Sequence, residues 1–124
     1  MTYADSDFFL AIIKEKDWLK GRAARLLERY RGALWTSVIT VAELLLLAEG
    51  FKLDPERIVV DVTEIAQVRD VDRSRLLLAA HFMKEDGLRT FDALHAALAQ
   101  GDEILSSDKA FDRVGLRRIP LEHW

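Results

Sequence analysis

The chain has 124 residues, half of them hydrophobic and 31% charged, a balance that suits one folded domain over residues 1–124. Its longest apolar runs fall far short of the ~18–20 residues that span a bilayer, and "MTYADSDFFLAII" has neither a basic n-region nor a small-residue cleavage site, so no membrane span and no signal peptide are expected. Cysteine is absent, which excludes disulfides, thiolate metal sites and cysteine nucleophiles and fits a cytoplasmic protein.

Helical and strand patterns alternate along the chain. Residues 1–4 read as a short strand. Phe8 to Ile13 open a first helix after Ser6 or Asp7. Asp17 reads as the N-cap of a helix through Arg31, with Trp18, Leu19, Ala23, Leu26, Leu27 and Tyr30 on its apolar stripe, and Gly32 ends it. "ALWTS" is a strand. Val38 to Glu49 is a helix closed by Gly50. "LDPER" combines an Asp N-cap with Pro at the first helical position, so a helix begins at Pro55, although the β-branched "IVVDV" that follows leaves a strand open there. "QVRDV" is a short strand. Asp72 caps a helix through Lys84 with Leu76, Leu77, Ala80 and Met83 inward. Thr90 caps "FDALHAALAQ", which Gly101 stops. "EILSS" is a strand, "DKAFDRV" a helical turn and "LRRIPL" a last strand.

This alternation predicts an α/β fold, a three-layer α/β/α sandwich around a mainly parallel sheet. Ligand sites of such sheets lie beyond the carboxyl ends of the strands, so the residues just after each strand matter most. Asp5 and Asp108 directly follow strands, Glu43 lies on the first half of the helix after "ALWTS", and Asp92 lies in the first turn of a helix entered from the loop Asp86–Arg89, so the four could converge at one edge of the sheet. Three of them have ordinary structural explanations: Asp5 and Asp108 as helix caps, Asp92 as a partner of its helix dipole. Glu43 has none. It is the sixth residue of its helix, with Ile39, Thr40, Leu46 and Leu47 one turn away. A carboxylate there needs a salt bridge to an Arg or Lys, a helix more exposed than its apolar run suggests, or a cation. Clustered carboxylates without Cys or a close His pair suit hard ions such as Mg²⁺ or Mn²⁺. Two such ions can clamp the attacking and leaving oxygens of a phosphodiester. His81, His95 and His123 are too widely spaced for a zinc pair.

The same stretches resemble the motifs of PIN-domain ribonucleases. "YADSDFFLAII" is similar to the first motif, "TSVITVAELL" to the second, "TFDALHAALA" to the third and "ILSSDKAFDRV" to the fourth, in order and over essentially the whole chain. The resemblance implies a parallel sheet flanked by helices, with Asp5, Glu43, Asp92 and Asp108 as the catalytic and metal-binding quartet. It implies hydroxyl roles for Ser37 and Ser107. Asp7 stands where the family often has Asn or Ser, and Asp112 could add to the fourth acid. Among such proteins the chain looks most like the small VapC toxins of toxin–antitoxin modules. That similarity implies Mg²⁺- or Mn²⁺-dependent cleavage of RNA, a homodimer and a cognate antitoxin that covers the site.

Net charge is −3 and the pI is near 5.6, which argues against passive binding to phosphate backbones. Two basic groups, Lys14, Lys16, Lys20, Arg22 and Arg25, and Arg113, Arg117 and Arg118, could steer RNA or form solvated faces. His95, three residues after Asp92, is expected to be structural and within reach of it. Trp18, Trp35 and Trp124 are expected in the core or at a dimer surface. Two other functions compete: a receiver-like signalling domain with Asp61 as phosphoacceptor and Lys109 as its partner, and a PIN-like binding module without activity.

Overall fold

A computed structural model describes residues 1–122; Trp124 and His123 lie outside them. In chain order the elements are β1 (Thr2–Ala4), α1 (Ser6–Ile13), α2 (Lys20–Arg29), β2 (Leu34–Ser37), α3 (Val38–Ala48), α4 (Pro55–Ile65), β3 (Gln67–Arg69), α5 (Arg73–Asp86), α6 (Thr90–Leu98), β4 (Glu103–Ser106), a 3₁₀ helix (Lys109–Val114) and β5 (Arg118–Pro120). The strands form one five-stranded sheet in the order β3-β2-β1-β4-β5, and every pairing is parallel.

Alternation along β1 divides the interior. Tyr3 lies across from Trp35 and Ile104, and these three join Ala79 of α5, Ala93, Ala96 and Ala97 of α6 and Phe111 of the 3₁₀ helix. Ala4 turns the other way, with Leu34 and Leu105, into a second core made with Phe8 and Phe9 of α1, Leu26 of α2, Leu44 of α3 and Ile58 and Val62 of α4. The chain is therefore a three-layer α/β/α sandwich. β2 is buried at all four positions because helices cover both of its faces.

Parallel strands put all their carboxyl ends on one edge. From β1 the chain passes to β2 and β3 on one side, then returns to β4 on the other side of β1. Strand order thus reverses at β1, and the crevice between the ends of β1 and β4 is the switch point where α/β sheets place ligands.

Three local expectations are corrected, and the helix expected from Pro55 is kept over its strand alternative. α2 starts at Lys20 and ends at Arg29, because the Asp17 carboxylate accepts from the Leu19 amide within a preceding turn instead of capping a helix. Trp18 in that turn is 78% exposed, not part of an apolar stripe. "IVVDV" continues α4: Asp54 caps it, Pro55 opens it, and the buried residues Ile58 and Val62 stand four apart, the helical interval. α6 begins at Thr90 itself, with Arg89 in the capping position.

The third correction turns α5 around. Leu76, Leu77 and Met83 are 49%, 56% and 41% exposed, and Ala80 is exposed too. The inward face carries Ala79, with Leu78 and Phe82 against the same core. Arg75 decides the phase. Its guanidinium donates to the Ala97 carbonyl of α6 at 2.7 Å, which puts residue 75 on the inner side, and 78, 79 and 82 follow at helical spacing. Small residues on both helices permit the close approach. α5 ends at Gly87, whose φ of 66° is open to glycine at little cost. The turn lets the Leu88 amide donate back to Phe82 and buries Leu88, which aims the next segment at the carboxyl edge.

Candidate active site at the carboxyl edge of the sheet

Asp5 is the first residue past β1. Its Oδ1 accepts from the Asp7 amide at 3.2 Å, so it does cap α1. Its Oδ2 accepts from the Ser106 hydroxyl at 2.6 Å, a bond that crosses the switch crevice from the end of β4. Only 4% of the residue is exposed. Burial, then the charge and contact of Asp7, and more weakly Glu43, push its carboxyl well above the ordinary range, against the opposing bond from Ser106.

Asp7 completes this side. Its Oδ2 accepts from the Ser107 amide at 2.9 Å, from the Ser107 hydroxyl and, at 3.4 Å, from Ser106. Its Oδ1 is buried with no hydrogen-bond partner, an orphan acceptor beside a second carboxyl. Such an atom lacks a positive partner.

Asp92 and Asp108 form the second pair. Asp92 lies in the first turn of α6. Asp108 follows β4 and caps the 3₁₀ helix, its Oδ1 accepting from the Ala110 amide at 2.9 Å, while its own amide donates to the Ser106 hydroxyl at 2.9 Å. Burial and then the charge and contact of Asp108 push Asp92 up to about 6; His95 opposes the shift and Glu43 adds to it.

Glu43 stands between the pairs, since its charge is felt by both Asp5 and Asp92. The partner of this helix-borne carboxylate is a histidine, not the Arg or Lys of the simple salt-bridge explanation. His95 Nε2 donates to Glu43 Oε1 at 2.8 Å, and the Ser6 hydroxyl donates to the same oxygen at 2.5 Å. Partial burial raises the Glu43 pKa, but bonds from His95 and Ser6 and the attraction of His95 outweigh it, and the net value lies below the ordinary one. His95 therefore bonds Glu43 rather than Asp92, and its Nδ1 meets the Tyr3 hydroxyl at 2.7 Å.

The four acids picked out in the sequence thus stand around one crevice, as two repelling pairs with Glu43 near both. Among the described residues no three acid or histidine side chains are close enough to enclose a cation unaided. The donors are all oxygen, which suits a hard divalent ion. Asp112 is drawn away to Arg118 at 3.1 Å. Ser107 touches Asp7, but Ser37 is fully buried and bonds Tyr3 at 2.8 Å; it faces the core, not the crevice. Ser6, Ser106 and Tyr3 are site residues the sequence reading missed. The alternation of Tyr3 and Asp5 about Ala4, and a second serine beside Ser107, were the available signals.

Most of the basic residues have structural tasks. Lys20 donates to the Ile12 and Lys14 carbonyls at the end of α1, and Lys14 pairs with Asp17. Arg22 donates to the Glu122 carbonyl, Arg118 holds Asp112 and Glu122, and Arg117 pairs with Glu103. Trp35 is core, its indole donating to Asp102 at 2.7 Å. Asp61 lies within α4, paired with Arg57 at 3.0 Å; it follows no strand, and the receiver alternative loses its phosphoacceptor.

The sequence matches the PIN domain family model over residues 2–116. No curated protein matches the chain in sequence. Solved structures similar to it include FitAcB from Neisseria gonorrhoeae, at TM-score 0.80 and 18% identity with all of both chains covered. A toxin–antitoxin complex from Klebsiella pneumoniae gives 0.78 and 16%, again over all of both chains. VapC20 of Mycobacterium tuberculosis, described as a sarcin-ricin loop cleaving toxin, gives 0.76 and 18% over 94% of this chain and 96% of that one. At these identities the likeness is one of fold. The family match takes in both strands of the crevice and all four of its acids, and the chain belongs to the PIN domain family.

Proposed function

We propose that this protein is a Mg²⁺- or Mn²⁺-dependent endoribonuclease, the toxin of a toxin–antitoxin pair, acting as one nuclease domain in the cytoplasm. One observation carries the reading. Acids from four separate elements meet at the switch crevice of a PIN fold, with Asp5 and Asp92 held well above ordinary carboxyl values. In the ion pairs of the described residues, no Lys or Arg joins any of the four. Such repulsion is what a cation relieves.

Asp5, Glu43, Asp92 and Asp108 would hold the ion, and the orphan oxygen of Asp7 stands beside them. When bound, the ion activates water toward a phosphodiester and neutralises the leaving oxygen. The chain's own residues prepare the place. Ser106 and Ser107 keep Asp5 and Asp7 turned to the crevice. Asp92, at about 6, releases its proton near neutrality and becomes available to a ligand.

The toxin assignment is supported by the named neighbours, of which the one from Klebsiella pneumoniae is a toxin–antitoxin complex. A homodimer and an antitoxin both need unpartnered apolar surface. α5 offers Leu76, Leu77 and Met83, and α3 offers Leu45 and Leu46, at 40% and 69% exposure. We assign the α5 face to a second copy of the chain.

The test is cleavage of RNA with and without Mg²⁺ or Mn²⁺. Wild type should cleave only with the ion, and Asp5→Asn, Asp92→Asn and Glu43→Gln should each abolish cleavage while folding normally. Unchanged cleavage in Asp5→Asn and Asp92→Asn would sink the reading. Isothermal titration with Mn²⁺ separates it from the inactive binding module, which would take up no ion.

A further inference from the structure

Glu43 accepts two side-chain hydrogen bonds, and both fall on one of its oxygens. A carboxylate that holds a cation does so in its ionised form. An ionised carboxylate only accepts, so the His95 nitrogen 2.8 Å away must carry a hydrogen. The Ser6 hydroxyl gives its hydrogen to the same atom. Both donors fall on Oε1, and Oε2 has no hydrogen-bond partner among the described residues.

His95 is itself fixed. It is 1% exposed, and its Nδ1 lies 2.7 Å from the Tyr3 hydroxyl. Tyr3 donates to a bare Nδ1 or accepts from a protonated one, so the contact holds in either charge state of the ring. The Tyr3 oxygen also meets Ser37 Oγ at 2.8 Å and Thr40 Oγ1 at 3.3 Å. Thr40 and Glu43 stand one turn apart on α3. The bonds therefore form a closed circuit, from Glu43 to His95 of α6, to Tyr3 of β1, to Thr40 and back through the helix. Every link is satisfied, and the circuit fixes α3 against both β1 and α6.

We propose that His95, braced by Tyr3, and Ser6 are positioning residues that saturate one oxygen of Glu43 and leave the other, Oε2, as the oxygen offered to a divalent cation. This rests on the nuclease reading above. Neither residue touches substrate; both act through Glu43. The competing explanation is that His95 is only a well-satisfied core residue, and two replacements separate the two. In His95→Gln the terminal amide nitrogen stands near the Nε2 position and can still donate to Glu43. In His95→Leu a side chain of similar bulk cannot.

The experiment is isothermal titration of the intact protein with Mn²⁺, together with thermal melting of each variant. Outer partners of metal ligands typically contribute about 10- to 100-fold in affinity. His95→Leu should bind Mn²⁺ weaker by about that factor, and His95→Gln should recover most of the loss. Equal affinity in wild type and His95→Leu overturns the proposal. So does an equal loss in the Gln and Leu variants, which would mean packing alone. If His95→Leu fails to fold, Ser6→Ala takes its place, with about tenfold weaker binding expected and unchanged binding overturning the idea. A long-range ¹H–¹⁵N spectrum of the imidazoles in metal-free wild type provides a readout independent of the ion. A protonated Nε2 on His95 is required, and a bare one refutes the arrangement. Wild-type protein that takes up no Mn²⁺ would instead overturn the nuclease reading, with the spectrum still judging the Glu43 clamp separately.

Discussion

Asp5 is placed where a carboxylate is least comfortable: nearly sealed from water, against Asp7 and within the field of Glu43. Side chains held at such cost destabilise the fold that carries them. Asp5→Asn should therefore raise the melting temperature of the metal-free protein while abolishing ion binding, and a lowered melting temperature would contradict this. The pH dependence follows with a definite sign. Asp92 moves from an ordinary 3.8 to about 6, and Asp5 moves the same way. Between about 4 and 6 the folded protein keeps protons that the unfolded chain has released, so metal-free stability falls as pH rises through that window. Glu43 and Asp72 are lowered from 4.5 and 3.8, and what they contribute is lost only as pH falls below those values. An ion must displace the raised protons, so the melting shift produced by Mn²⁺ should be small at pH 5 and larger at pH 7.5. A shift independent of pH would count against the acids as ligands.

At the scale of elements, α5 and α6 approach through alanines on both sides. Ala79→Leu inserts bulk where there is no room and should destabilise by about 1–3 kcal/mol in urea unfolding; an unchanged midpoint would mean that the two helices can part freely. This pair also marks where the sequence stopped being informative. "RSRLLLAAHFMKED" is apolar on more than one side, and hydropathy favoured the leucines as the inner face. The inner face instead contains Arg75, whose guanidinium finds the Ala97 carbonyl of α6. That partner comes from a residue 22 positions on, which no local pattern displays. α4 shows the converse. There the signal of Asp54 followed by Pro55 was local, and it outweighed the strand preference of "IVVDV". The places of Asp5 and Asp108 were legible for the same reason: each directly follows a strand, and parallel strands share one edge. The supporting hydroxyls were not, because Ser6 and Ser106 acquire meaning only once β1 and β4 are neighbours.

For the whole molecule, the displaced leucines of α5 leave an apolar surface that one copy does not cover. If a second copy covers it, Leu76→Glu with Leu77→Glu should convert the wild-type dimer to monomer in size-exclusion chromatography with light scattering. Identical masses for wild type and variant would remove α5 from that role. No helix among the described residues is long and apolar enough to cross a membrane. The five-strand order, unlike the parallel direction of the strands, could not be read from the chain: alternation predicts crossovers, but only packing decides that β1 sits in the middle.

That central place makes three consecutive residues of β1 and its end a single point of failure. Tyr3 braces His95, Ala4 fits the opposite core, and Asp5 enters the crevice. One residue inserted among them would send the phenol into the wrong layer, force a polar oxygen among phenylalanines and swing the carboxylate off the edge together. Elsewhere in the chain a loop can absorb an added residue; here the brace, the packing and the chemistry share one short stretch of backbone, so none of the three can drift alone.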